Sequence, residues 1–182
     1  MEKLLNDVFN KIYIDKDYEY FKDRCRSKIV FSKEFYTKTE VYVNDIIEED
    51  IDGAPSQIWY FKYSNYENGK LKVSYKTLLQ ISKIIPVFYI HHEFEVENYD
   101  EYKMSPVLDG FGPQPYIKNQ ADLYEITKEY LEKNGYVEVD YSQLNEIVLN
   151  KDNNSTNLIN GEKFSVEELI FYDRFEIENT II

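Results

Sequence analysis

The sequence predicts an α+β fold in which several short helices pack on a mainly antiparallel sheet. Segments with helical spacing of apolar residues mix with β-branched and aromatic runs, and no regular βαβ alternation orders them. An Asn68-Gly69 turn between two such runs, 57–64 and 70–75, indicates an antiparallel hairpin. Because the 182-residue chain has no internal repeat and no Gly/Ser linker, we expect a single compact domain over 1–182.

The N-terminal part predicts two helices and then two strands. Apolar residues recur at three- and four-residue spacing over 2–12 and about 16–26, which is typical of short amphipathic helices. The runs 28–31 and 37–43 are rich in β-branched and aromatic residues, and the second alternates. These runs are therefore expected to be strands that precede the hairpin.

After the hairpin we expect a short helix over 76–84, and Pro86 then opens a long strand to about Glu97. The stretch 98–120 contains three of the five prolines and two of the six glycines, which interrupt helices and ladders alike. It is predicted to be a long ordered loop. An aromatic-tipped recognition loop and a plain connector are both open interpretations of it.

The C-terminal part predicts short elements in close succession. They are a helix over 122–134 that ends at Gly135, a strand over 136–139, a helix over 141–149, a polar loop over 150–160, and a helix that follows the capping box at Ser165 and ends near Tyr172.

The charge of the chain is concentrated in its second half. The formal net charge is −13, from 34 acidic and 21 basic residues. Residues 1–92 form a neutral, hairpin-containing half with 14 of each sign, whereas residues 93–182 form an acidic half with 20 acidic and 7 basic side chains. Direct binding to nucleic acid is disfavoured, because the net field of the protein repels phosphates.

Two arrangements in the acidic half predict a surface for a basic protein. Alternation places Glu93, Glu95 and Glu97 in one row on the long strand. Helical spacing places four carboxylates in one stripe on the helix, namely Asp122, Glu125, Glu129 and Glu132. The predicted surface also includes acidic and aromatic residues in or near the loop, namely Asp100, Tyr102, Asp109, Phe111 and Tyr116.

Each of these features also has a simpler explanation. An acidic stripe opposite an apolar stripe is found on any amphipathic surface helix. Tyrosine is favoured at interfaces, but the 18 tyrosines also accord with the A/T-rich codons of low-GC bacteria and their phages, which would explain the excess of Lys over Arg as well.

A metal site is the alternative chemical interpretation. His91 and Glu93 share one face of the predicted strand and could chelate a divalent ion together with Glu95 or Asp100. Successive strand residues point to opposite faces, so His92 is expected in the core, away from His91. The spacing HExxH is absent, and we expect neither a metal nor another cofactor.

The chain is expected to act in the cytoplasm. No signal-peptide core is found at its N-terminus, the longest nearly apolar run covers only 84–90, and Cys25 is the single cysteine.

These features together predict an inhibitor that binds a basic, nucleic-acid-acting enzyme and has no catalytic activity of its own. In general character the chain resembles the immunity proteins of bacterial nuclease toxins and the anti-CRISPR proteins of phages, which are small and often acidic. No family motif covers any stretch, so no residue role is carried over. The alternatives are a small metal-assisted enzyme that uses His91 and Glu93, and a non-catalytic subunit of a larger assembly.

Overall fold

The computed structural model confirms an α+β fold with a seven-stranded sheet among the described residues. The structure describes residues 2–69, 71–97, 102, 104, 107–109, 114–147, 149–150, 155–156, 158–159, 162–163, 165–174 and 177. The helices are α1 (Glu2–Phe9), continued by a π-helix (Asn10–Ile14), α2 (Tyr18–Arg26), α3 (Lys33–Thr39), α4 (Lys118–Lys133), α5 (Tyr141–Leu144) and α6 (Val166–Phe171).

The strands of the sheet are β1 (Asp45–Glu49), β2 (Ser56–Lys62), β3 (Tyr66–Asn68), β4 (Leu71–Ser82), β5 (Val87–Val96), β6 (Val107–Asp109) and β7 (Val137–Glu138). They follow the order β1-β2-β4-β5-β6, with β3 beside β4 and β7 beside β5. All the pairs are antiparallel except β5 with β7. Two further two-stranded pairs follow, β8 (Leu149–Asn150) with β9 (Ser155–Thr156) and β10 (Leu158–Ile159) with β11 (Glu162–Lys163).

Helices cover both faces of the central strands, so the described residues form two hydrophobic cores. On the first face, Phe88 and Ile90 of β5 pack with Leu123 of α4. On the second face, Val87 and Tyr89 pack with residues of α1, α2, α5 and α6. Because alternate strand residues point to opposite faces, β5 contributes to both cores along its first half.

The helix ends follow the capping signals of the sequence. Ser165 accepts from the Glu168 backbone N–H at 3.2 Å and the Glu168 carboxylate accepts from the Ser165 N–H at 2.9 Å, which confirms the predicted capping box. Gly135 has φ +83°, a conformation that favours glycine, and it follows the end of α4 as predicted. The helix starts four residues earlier than predicted, because the Gln120 side chain accepts from the Tyr116 and Ile117 N–H groups.

Neither strand predicted before the hairpin exists at its expected place. Residues 28–31 belong to neither a helix nor a strand, and residues 33–39 form α3. Ser32 caps this helix by accepting from the Phe35 N–H, and Phe35 and Thr39 are buried one turn apart. A helix therefore forms here, because the four-residue spacing of these two buried residues fits a helix better than the alternating pattern fits a strand. The first strand, β1, begins only at Asp45.

The predicted hairpin is confirmed with two changes. Strands β2 and β4 pair with Lys62 opposite Lys76, and Gly69 turns the chain at φ +63°. Residues 66–68 add the short strand β3, and β4 continues to Ser82 where a helix was predicted over 76–84. That helix prediction is wrong because both faces of β4 are largely buried there, so the alternation that indicates a strand is absent from the sequence.

Three further boundaries differ from the prediction. The expected loop 98–120 includes β6, whose three residues contain neither proline nor glycine, and the beginning of α4. The helix expected over 141–149 ends at Leu144, where the Asn145 side chain donates to the Tyr141 carbonyl. The expected polar loop 150–160 contains β9 and β10. The long strand that starts after Pro86 and the short strand after Gly135 are confirmed.

Within the described part of the chain, no helix is long and apolar enough to cross a membrane.

Candidate protein-binding surface

The acidic row on β5 lies on the second sheet face, but lysines of the neighbouring strand balance it. Lys76 Nζ lies 2.7 Å from Glu93 Oε2, and Lys72 Nζ lies 3.2 Å from Glu97 Oε2. Both lysines belong to β4, and the β4–β5 register brings them to this face. Glu95 stands opposite Ser74 and has no ion pair with any described residue. The row is therefore a cross-strand ion-pair ladder with one unpaired carboxylate.

Glu93 is the most strongly held carboxylate of the row. Its Oε1 atom is 2.8 Å from His91 Nε2, and its side chain is 15% exposed. The hydrogen bond from His91, together with the Lys76 ammonium, lowers the pKa of Glu93 to about 2. Glu93 thus stays ionised, with both of its oxygens engaged by neighbouring side chains.

This geometry does not resemble a metal site. His91 and Glu93 do meet, as the alternation predicts, but the Lys76 ammonium occupies the position beside the carboxylate that a cation would take. Asp100, one of the two predicted further ligands, lies outside the described residues. No group of three His, Cys, Asp or Glu side chains in the described ranges is placed to hold a metal ion.

His92 is buried in the first core, as predicted, and is part of a hydrogen-bonded chain. Its Nδ1 atom is 2.7 Å from Thr77 Oγ1, which is 2.7 Å from the Tyr63 hydroxyl. Burial and, to a smaller extent, the neighbouring His91 lower the pKa of His92 to about 4. All three side chains are buried, so this hydrogen-bonded network stabilises the core and no substrate can reach it.

The helical stripe is exposed on the outer side of α4. Glu125, Glu129 and Glu132 are exposed and Asp122 is half-buried, whereas Leu123 and Leu131 face the core as predicted. Glu129 pairs with Lys133 at 2.6 Å, and Glu132 lies 4.0 Å from Lys128. Asp122 and Glu125 form no ion pair with the described residues.

The sheet separates the row from the stripe. α4 covers the face that carries Phe88, Ile90 and His92, and the row lies on the opposite face of the same strand. One flat partner surface therefore cannot contact both, although the sequence suggested a single surface. At the start of α4, Gln120 Nε2 donates to the backbone carbonyls of Lys76 and Glu93, which attaches the helix to β4 and β5.

The loop residues of the predicted surface are only partly described. Tyr102 is 97% exposed, and Tyr116 is 39% exposed with its ring against Phe94, 4.7 Å between centroids. Asp109 belongs to β6, where its backbone lies opposite Glu93. Phe111 lies outside the described residues, as Asp100 does.

A second acidic segment lies in the half of the chain that is neutral as a whole. Residues 40–52 contain six acidic residues and neither lysine nor arginine. They form the turn before β1, β1 itself, and the segment after it. Asn119 of α4 donates to the Tyr42 carbonyl at 3.0 Å, so this segment adjoins the beginning of the α4 stripe. These six acidic residues can be counted in the sequence, but the net charge of zero over residues 1–92 concealed them.

Comparison of the chain with protein-family models, with curated proteins and with solved structures found no match.

Proposed function

We propose that the protein binds a basic enzyme that acts on nucleic acids and inhibits it by occupying its nucleic-acid groove. The observation that carries this proposal is the exposed stripe of carboxylates on α4, with a net charge of −13 over the whole chain. A groove that binds phosphates is lined by lysine and arginine, and a regular row of anions on a rigid helix is complementary to it.

The stripe is available to such a partner. Its carboxylates recur about every 4.5–6 Å along the helix axis, given a rise of about 1.5 Å per residue. The side chains of Glu129 and Lys133 are 67% and 71% exposed, and solvent screens such an ion pair so that it contributes little to stability. A partner lysine or arginine can therefore replace Lys133 at little cost.

The rest of the site favours binding over catalysis. Glu93 contacts Lys76 and His91, Glu97 pairs with Lys72, and the buried side chains of Tyr63, Thr77 and His92 are closed to solvent. Electrostatic attraction would make association with a basic enzyme fast and sensitive to salt.

The test is affinity capture with the whole chain as bait at low and high salt, followed by mass spectrometry and an activity assay of the captured enzyme. Wild-type protein should capture a basic, nucleic-acid-acting enzyme at low salt and inhibit it. The double variant Glu125→Gln/Glu129→Gln should slow association by about tenfold, because two steering charges are lost.

The matched control is Glu19→Gln/Glu67→Gln, which removes two exposed charges from α2 and β3. It should alter association by less than about twofold. Capture of no basic protein, or capture of a stoichiometric partner whose activity is unchanged, would contradict inhibition; the second result would indicate a subunit of a larger assembly. If both double variants slowed association equally, α4 would not be part of the binding site.

A further inference from the structure

Strand β1 forms an edge of the sheet. It pairs with β2 over its five residues, and no described residue pairs with its other side. Backbone N–H and C=O groups on that side are therefore open to a further strand. The edge is about 17 Å long, from a rise of about 3.4 Å per residue.

A groove runs beside this edge and has an apolar floor with an acidic rim. Its volume is about 450 Å³. Tyr36, Val43 and Ile46 contribute half-buried apolar surface, and the acidic residues along it are Glu40, Asp45 and Glu48. Because Ile46 and Glu48 share the face of β1 that lines this groove, it accommodates the side chains of an added strand that lie on that face.

Most of the acidic groups at this edge lack a basic partner. Glu48 pairs with Lys28 at 3.0 Å, and Asp50 pairs with Lys83 at 2.7 Å. Glu40, Asp45 and Asp52 form no ion pair within the described part of the chain. The edge thus retains negative charge that no described lysine or arginine balances.

We infer that the free edge of β1 binds an extended, basic segment of the partner protein as an added strand. This inference rests on the proposed function in taking the partner to be a basic protein, but it concerns a different surface from α4. The added strand supplies backbone hydrogen bonds to β1. The side chains on one of its faces enter the groove beside Ile46 and Glu48, and those on its other face meet Asp45, Ile47 and Glu49.

The side chains of β1 specify the pattern of the bound segment. Asp45, Ile47 and Glu49 are exposed and share one face of the strand at two-residue spacing. Residues directly opposite one another on paired strands interact, so the complementary segment has a basic, an apolar and a basic side chain at alternate positions. Ile47, 39% exposed, meets the apolar residue in the middle.

A second copy of this chain does not fit the edge. Antiparallel pairing of two β1 strands about Ile47 would place Asp45 of one copy opposite Glu49 of the other. It would also leave Glu48 beside the apolar Ile46. Like charges directly opposite one another destabilise a strand pair, so the edge selects a basic segment over itself.

The test uses the whole chain labelled with ¹⁵N and an acetylated, amidated heptapeptide, Thr-Lys-Thr-Val-Thr-Lys-Thr. In titrations to about 1 mM peptide, we expect saturable shifts of the backbone amides of 40–49. Methylation of the peptide amides at alternate positions should weaken binding about tenfold or more, because added-strand hydrogen bonds are lost. Asp45→Asn/Glu49→Gln should weaken it about fivefold, against less than about twofold for Glu19→Gln/Glu67→Gln.

Several results would overturn the inference. These are shifts confined to acidic residues away from β1, equal binding of the methylated peptide, no saturation by about 1 mM, and a concentration-dependent dimer that is lost in the Asp45→Asn/Glu49→Gln variant. Because the titration contains no enzyme, a failure to bind the peptide would not contradict the proposed inhibition, which the capture and activity assay tests. Conversely, a chain that binds the peptide at β1 and inhibits no enzyme would contradict the proposed function alone.

Discussion

Lys76 Nζ of β4 lies 2.7 Å from Glu93 Oε2 of β5, directly across the strand pair. The side chain of Glu93 is 15% exposed and that of Lys76 is 38% exposed, so the pair is partly shielded from water. His91 holds the other oxygen of the carboxylate at 2.8 Å. This three-residue arrangement turns a row of like charges into a contact that stabilises the sheet.

We predict that Glu93→Gln lowers the free energy of unfolding at pH 7 by about 1–3 kcal/mol. The pKa of Glu93 is lowered from 4.5 to about 2, so the ionised form is stabilised in the folded state. That contribution is complete above pH 4.5 and is lost as the pH falls toward 2. Urea unfolding at pH 7 and pH 3 measures it, and the difference between wild type and variant should shrink at pH 3.

Glu95→Gln is the matched control for this prediction. Glu95 lies two residues further along the same face, is exposed, and has no ion pair with a described residue. Its substitution should change stability by less than about 0.5 kcal/mol. If both variants were equally stable at pH 7, the Lys76–Glu93 contact would contribute nothing that the rest of the row does not.

Protonation of His92 should destabilise the protein in a higher pH window. Burial lowers the pKa of His92 from 6.5 to about 4, so the unfolded chain takes up a proton before the folded one does. Stability present above pH 6.5 is therefore lost as the pH falls toward 4, by about 2 kcal/mol at pH 4.5. Glu93 stays ionised over most of this window.

The variant His92→Asn isolates this effect, because Asn keeps a polar atom near Thr77 but does not titrate. We expect the variant to be less stable than wild type at pH 7. Between pH 7 and pH 4.5, its unfolding free energy should fall by about 2 kcal/mol less than that of wild type. Parallel profiles for the two proteins in urea or thermal unfolding would show that another group causes the acid sensitivity.

The elements that could be predicted are those that a local sequence pattern determines. Alternation predicted β5 because it remains visible along that strand, and Gly135 marked the end of α4 because the turn requires φ > 0. The continuation of β4 over 76–82 was not predictable from the pattern, since both faces are largely buried. The position of β1 depended on the pairing with β2, which no local signal specifies.

The candidate site was less predictable, because charge on a surface depends on register. The row of Glu93, Glu95 and Glu97 follows from β5 alone, but the lysines that balance it belong to β4. The separation of row and stripe required knowledge of which face α4 covers. Residues 40–52, in contrast, could have been found by counting charges in a shorter window.

Gly135 provides a prediction about helix termination. Its φ of +83° lies in the left-handed region, and no atom lies within 4 Å of the position that a Cβ would take. Gly135→Ala should therefore lower the unfolding free energy by about 1 kcal/mol through backbone conformation alone. Gly135→Asn should recover part of the loss, because Asn tolerates this conformation better than Ala. Thermal unfolding of the three proteins tests the order, and an equal loss for Asn and Ala would contradict it.

The buried ammonium of Lys83 gives the last prediction. Its Nζ atom lies 2.7 Å from Asp50 Oδ1 and donates to the Cys25 carbonyl at 2.8 Å, which joins the end of β1 to α2. The Lys83 side chain is 2% exposed, whereas that of Asp50 is 24% exposed. The two charges therefore differ in how far water can solvate them when the other is removed.

We expect Asp50→Asn to be the more damaging of the two substitutions. It leaves the Lys83 charge buried without a counter-ion, which should lower the unfolding free energy by about 3 kcal/mol. Lys83→Met fills a similar volume and leaves Asp50 with access to water, so its effect should be about half as large or less. Urea unfolding at pH 7 compares the two. The opposite order would mean that the Lys83 hydrogen bond to Cys25, and not the ion pair, holds β1 against α2.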